Sequence, residues 1–267
     1  MGELFQMWGN TRMVVLTAIC AALYAALLIP FKVVPLIPGI TEFRPANAVP
    51  VVCSFLFGPA AAWGSAFGNL IGDFFGGLGP GDLFGFFANL FYGLVPYLVW
   101  ESLTDAEPVP RRTSVFALGI PQFADLRILL VISLAATLCA TIVGWGLHAI
   151  GFHPFRVLGS VVLVNNLVVA TVLSPFLLAV LYPRVQKARL LYRDILGPRV
   201  RPPRWRAWLG VFLLVGGTLG AFVAGQLIDN GRWLPPWIPY RTDTHALEVG
   251  VGLVPFLATA ILGLALL

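Results

Sequence analysis

The sequence predicts an all-α membrane protein: a six-helix transmembrane core followed by a C-terminal two-helix hairpin. Three observations carry this. Of 267 residues, 58% are hydrophobic and 11% charged, with a mean hydropathy of +0.88. A soluble domain carries about 25% charged residues, and so little charge cannot cover a water-facing surface. The apolar stretches are continuous and close to the roughly 20 residues that a helix needs to cross the hydrocarbon. They do not alternate as the strands of an outer-membrane barrel do. Lastly, eight of the seventeen Lys and Arg lie between Arg184 and Arg206, beside apolar spans. That pattern marks a juxtamembrane loop rather than a nucleic-acid surface. Soluble enzyme, disordered tail and secreted disulfide scaffold are thereby excluded. Cys20, Cys53 and Cys139 sit in apolar stretches at unrelated spacings and read as small buried hydrophobes.

The first span, 13–30, ends at Pro30; its apolar run is too long for a signal-peptide core, and further spans follow. A Pro-rich loop, FKVVPLIPGITEFRP, leads to a short second span at 46–57. The FGP turn at Phe57–Pro59 opens a third, 60–76, which GGLGPGD separates from a fourth at 83–100. The polar stretch Glu101–Leu126 carries Arg111 and Arg112 and precedes spans at 127–150 and 157–182. Residues 1–182 thus form the six-span core, 183–206 a basic cytoplasmic linker, and 207–267 the hairpin, with helices at 207–228 and 246–267. With the N-terminus inside, Arg12, Arg111, Arg112, Arg127 and the eight linker cations face the cytoplasm, twelve in all. Lys32, Arg44, Arg156, Arg232 and Arg241 face outward, five in all. The imbalance predicts a multi-pass inner (plasma) membrane protein with both termini cytoplasmic.

That orientation gathers the polar residues of the core at one end. Asn69 and Asp73 fall in the mid-to-outer part of span three, Asp82 and Asn89 at the outer start of span four, and Trp145 and His148 near the outer end of span five. Asn165 and Asn166 lie a few turns into span six, and Glu42, Arg44 and Asn47 lead into span two from the same side. Buried polar groups in lipid cost free energy unless paired. A relay or channel would distribute them along its whole path. This one-sided set instead predicts a solute pocket open to one face and closed below by apolar helices. Each residue taken singly also fits a helix cap or an interhelical bond. Asp73 and Asp82 could act as acid and base, but no nucleophile or metal set accompanies them. His148, His153 and His245 have no metal-ligand spacing, and no H-E-x-x-H, G-x-S-x-G or P-loop occurs. We therefore expect no catalytic residue, metal or cofactor, and any nucleotide hydrolysis must come from another chain.

Small residues recur every fourth position: Ala18, Ala22 and Ala26 in span one beside Ala21 and Ala25, Gly64, Gly68, Gly72 and Gly76 in span three, and Gly216, Gly220 and Ala224 in the hairpin. Such rows let helix backbones approach closely. The glycines read as internal packing; the alanines suit either packing or a partner helix.

The stretch ITEFRPANAVPVVCSFLFGPAAAWGSAFGNLIGDFFGGLGPGDLFGFFANLFYG resembles the substrate-binding S components of energy-coupling factor (ECF) transporters around their second to fourth helices. Shared features are the FGP turn, the glycine-rich helix, the GN pair, the GG break and the aspartate that opens the next helix. Through FRPANA and GNLIGDFFGG…GDLFG it is most similar to the queuosine-precursor type. The resemblance spans about residues 12–182; the linker and two further helices follow the family's six. It implies a subunit that captures a vitamin-like or nucleobase-like solute from outside, beneath a cap formed by Phe31–Arg44. It also implies docking of a transmembrane coupling subunit on Ala18, Ala22 and Ala26, and two cytoplasmic ATPases as partners. Two other readings stand beside it at this point: an intramembrane enzyme using Asp73 and Asp82 on a lipid or isoprenoid, and a structural or assembly membrane protein.

Overall fold

The computed structural model describes residues 2–33, 35–37, 41–104, 126–197, 199, 201–238 and 243–267, the side chains of 33–42 excepted. Arg111, Arg112, Arg241 and the side chain of Glu42 lie outside the described residues. A short helix α1 (Gly2–Gln6) precedes α2 (Thr11–Leu28), which Asn10 caps by accepting from the backbone N–H of Arg12 at 3.0 Å. Two short strands, β1 (Pro35–Ile37) and β2 (Thr41–Glu42), pair antiparallel in the following loop. Then come α3 (Ala48–Phe57), α4 (Pro59–Phe74), α5 (Asp82–Leu103), α6 (Leu126–Ala149), α7 (Phe155–Lys187) and α8 (Tyr192–Leu196). The hairpin consists of α9 (Arg204–Asp229), α10 (Ala246–Gly252) and α11 (Val254–Leu266).

Six helical segments among the described residues are long and apolar enough to cross a membrane; two predicted spans are shorter. The ten residues of α3 are all buried. At 1.5 Å per residue it is only about 15 Å long, and because neighbouring helices shield it from lipid it has no need to reach both interfaces. Its turn into α4 requires glycine twice over. Gly58 has a φ of 54°, and a Cβ there would lie 2.8 Å from the Tyr192 ring. Pro59 then starts α4 with φ already helical. The last predicted span is broken as well, at Leu253 between α10 and α11, where Pro255 permits a helix start but not a continuation.

The glycine row of α4 lies along α2. A Cβ on Gly64 would meet the Thr17 carbonyl at 2.8 Å, and one on Gly68 the Ala21 carbonyl at 2.8 Å, while Gly72 faces Leu28. Contacts that ascend together mean that α2 and α4 run parallel at close approach. This buries Ala21 and Ala25 and leaves Ala18, Ala22 and Ala26 on the exposed face with Val15, Ile19, Leu23 and Leu27. In the hairpin the anticipated row packs in part, a Cβ on Gly220 lying 2.8 Å from the Phe256 ring of α11 and Ala224 being buried, but the closest backbone approach uses another row. Gly210 and Gly217 of α9 approach Gly263 and Ala260 of α11, while Gly216 has nothing within 4 Å.

The end of the bundle where α5 and α7 finish is tied to the linker. Glu101, 3% exposed, accepts from the Tyr192 hydroxyl and the Arg193 guanidinium and lies 3.7 Å from Arg201. Arg199 reaches Glu3 at 3.5 Å. The linker is therefore folded onto the core, and its first residues, Arg184–Lys187, continue α7. We call this the linker end and the opposite one the pocket end.

Candidate solute pocket

All five buried asparagines lie in the pocket-end half, and four of them converge. A cavity of about 80 Å³ is lined by Tyr24 of α2, Arg44 and Asn47 before α3, Asn89 of α5, and Asn165 and Asn166 of α7. Cys139 and Val143 of α6 complete the wall, together with Leu147, Leu158 and Val162. By this measure a water needs roughly 10–15 Å³, so the space holds several waters or part of a small heterocycle.

The hydrogen bonds fix the direction in which each carboxamide points. Asn47 donates from Nδ2 to Asn166 Oδ1 at 2.6 Å, and Asn89 donates from Nδ2 to the Gly85 carbonyl at 2.9 Å. Both therefore turn their oxygens toward Tyr24, whose hydroxyl is 3.2 Å from Asn47 Oδ1 and 3.0 Å from Asn89 Oδ1. A phenol has one proton. Only one of the two oxygens can receive it at a time, which leaves an acceptor to spare at the cavity wall. Tyr92 is fully buried with its hydroxyl 3.5 Å from the Asn166 carbonyl.

A second cluster lies between α2, α4 and α5. Lys32 Nζ is 3.2 Å from Asp73 Oδ1, and Asn69 Nδ2 is 2.6 Å from Asp73 Oδ2. Arg44 acts electrostatically on Asp73, so this cluster borders the cavity without lining it. Asp82 acts electrostatically on Asp73 as well, while its Oδ2 accepts from the Gly79 N–H at 2.6 Å as a turn cap.

Of the residues predicted to bind solute, the structure thus brings Arg44, Asn47, Asn89, Asn165 and Asn166 together and sets Asn69 and Asp73 beside them. Trp145 and His148 are not brought there. Trp145 donates its indole N–H to the Gly250 carbonyl at 2.8 Å. His148 Nδ1 lies 3.1 Å from both the Phe155 N–H and the His153 carbonyl, and its Nε2 is 3.6 Å from Asp229 Oδ1. Both hold the hairpin. The phenylalanines of α5 do not line the cavity either. Neither Asp73 nor Asp82 lines that cavity, and no group of three metal-binding side chains occurs among the described residues.

Sequence reasoning missed Tyr24, Lys32, Cys139 and Glu101. A tyrosine in mid-span has a polar tip that must find a partner, and its i, i+4 relation to Cys20 and Leu28 places it on the buried face of α2. Those signals were available. Nothing local marked Cys139 as a wall residue or Glu101 as buried.

Comparison with curated proteins and with solved structures gave no match. The family model described as the QueT transporter matches residues 14–183, more than half of the chain and nearly all of the helical core, α2 to α7, that builds the cavity. That agrees with the resemblance carried by FRPANA and GNLIGDFFGG…GDLFG, and the chain belongs to the QueT transporter family.

Proposed function

We propose that this membrane protein of a transporter family is the solute-binding S component of an ECF-type uptake system, and that its solute is nucleobase-like, of the queuosine-precursor type. The observation that carries the reading is the single Tyr24 proton between two carboxamide oxygens, facing a cavity that Arg44 also lines. A carboxamide acceptor that the phenol leaves over, beside a guanidinium, complements an edge with an N–H donor next to a carbonyl, as on a lactam-bearing purine-like base. Val143, Leu147, Leu158 and Val162 supply apolar walls for the ring. Arg44, Asn47, Asn89, Asn165 and Asn166 touch the solute in this reading, with Tyr24, while Asp73 and Lys32 hold the rim.

In this reading the pocket end faces outward at the plasma membrane and both termini are cytoplasmic, which the basic-residue imbalance supports. Ala18, Ala22 and Ala26 lie on the exposed face of α2, where small side chains admit a coupling-subunit helix at close approach. ATPases on the cytoplasmic side supply the energy.

Calorimetric titration of the purified protein with a queuosine-precursor base, guanine and biotin tests the solute. Tight binding of the first, weaker binding of guanine and none of biotin is the expected order. Failure of both bases to bind removes the nucleobase reading. Affinity purification from the native membrane tests the complex, with an ATPase pair and a coupling subunit as the expected companions.

A further inference from the structure

The hairpin α9–α11 lies outside the residues that the family model matches, and its attachment to the core is specific. It packs on α5, α6 and α7, leaving the exposed face of α2 free. Polar contacts fasten it at the pocket end, among them one from Arg156 Nη1 to Asn230 Oδ1 at 3.2 Å. Trp145 bonds the Gly250 carbonyl, His148 faces Asp229, the Arg156 N–H donates to Asp229 Oδ2 at 2.8 Å, and Gln226 Nε2 donates to Ser160 Oγ at 3.0 Å. The His148 and Asp229 side chains are each 6% exposed.

Between these contacts sits one apolar wedge. The fully buried Phe155 ring lies where α6, α7 and α9 meet, beside Phe222 at 5.9 Å between centroids. Three glycines make room for it. A Cβ on Gly144 would lie 3.1 Å from the ring and one on Gly159 3.5 Å, while one on Gly225 of α9 would overlap it, with Cζ at 2.6 Å. Gly144 and Gly159 also meet each other, 3.1 Å from a built Cβ to Cα, so the wedge sits at the α6–α7 crossing. Each neighbours a lining residue. Val143 precedes Gly144, and Leu158 precedes Gly159. Phe155 itself is one turn from Leu158 on α7.

We infer that the hairpin is the outer buttress of the solute pocket: it presses Phe155 into the α6–α7 crossing and so sets the position of the wall made by Val143, Leu158 and Val162. The residues expected to touch solute at this end, Trp145 and His148, act instead as positioning residues that hold the buttress. Only the affinity consequence rests on the solute reading proposed above; the position of the wall does not.

Cys139 lines the cavity, whereas Cys20 and Cys53 are buried away from it, so three native thiols report wall position and general loosening separately. The variant Gly225→Ala puts one methyl group against Phe155. Overpacking displaces such a ring, and the N-ethylmaleimide labelling rate of Cys139 in purified full-length protein is expected to rise about fivefold with Cys20 and Cys53 unchanged. The double variant Gly225→Ala, Phe155→Leu returns the space and is expected to restore the wild-type rate. Unchanged Cys139 labelling in Gly225→Ala overturns the inference. So does a parallel rise of all three thiols, or a double variant that restores nothing, because either would mean loosening without a wedge. Affinity for a queuosine-precursor base is read on the same samples. If the wild type binds none, the solute reading fails and the thiol result still decides the buttress.

Discussion

The Tyr24 hydroxyl lies 3.0 Å from Asn89 Oδ1, joining the last third of the first long helix to the fourth helix of the bundle across 65 residues of sequence. With Asn47 Oδ1 at 3.2 Å on its other side, this hydroxyl lies between two oriented oxygens. Tyr24→Phe removes it and leaves both acceptors buried without that proton. A cost of about 1–3 kcal/mol is expected, read as a lower melting temperature in detergent. Asn89→Leu leaves Tyr24 bonded to Asn47 and should keep the fold while weakening queuosine-precursor binding about tenfold, a loss of about 1.4 kcal/mol. Unchanged affinity in calorimetry would take Asn89 out of the site.

Lys32 and Asp73 form a partly buried pair, 15% and 12% exposed. Removing one partner of such a pair leaves the other charged and poorly solvated. Asp73→Asn should therefore destabilise by about 2 kcal/mol, below the full range for deeply buried pairs. The double variant Lys32→Met, Asp73→Leu should recover much of it, because an apolar pair has no charge to desolvate. Thermal melts of the single and double variants give the coupling directly.

Glu101 anchors the linker through Tyr192, Arg193 and Arg201. Glu101→Gln keeps the shape and removes the charge that the arginines neutralise. We expect a loss of about 3 kcal/mol and faster tryptic cleavage within 189–206, with the core helices protected. Cleavage at the wild-type rate would mean that the linker is held by its packing alone.

Ala22 is exposed on α2 and faces away from the pocket. Ala22→Trp should leave solute affinity and melting temperature within about 0.5 kcal/mol of wild type, yet block co-purification of a coupling subunit. If the complex still forms, that face is not the docking surface.

Several site residues were legible because polar groups in an apolar chain stand out. Asn47, Asn89, Asn165 and Asn166 needed only the helix count and the inference of a shared end to be grouped. Trp145 and His148 belong to that same end and were grouped by the same logic, yet their partners are Gly250 and Asp229, on helices about 80 to 105 residues further along. Depth along a helix follows from position in the sequence, whereas the direction a side chain faces around the bundle depends on which neighbours pack there. Tyr24 illustrates the reverse case. Its hydropathy hid it among alanines and leucines, although its hydroxyl is central to the polar cluster.

Hydropathy, the charge imbalance and the FGP and glycine signatures by themselves determined a helical membrane bundle, its span positions and its family, because the cost of placing polar groups in hydrocarbon acts on each segment separately. Only the tertiary structure decided that α3 is a short, wholly buried helix, that the linker is clamped by Glu101, and that the hairpin packs on Phe155 at the α6–α7 crossing. Those outcomes depend on interhelical packing, where glycines set how closely backbones approach and one buried proton chooses between two acceptors. Such terms exist only between segments distant in the chain, so no local pattern encodes them.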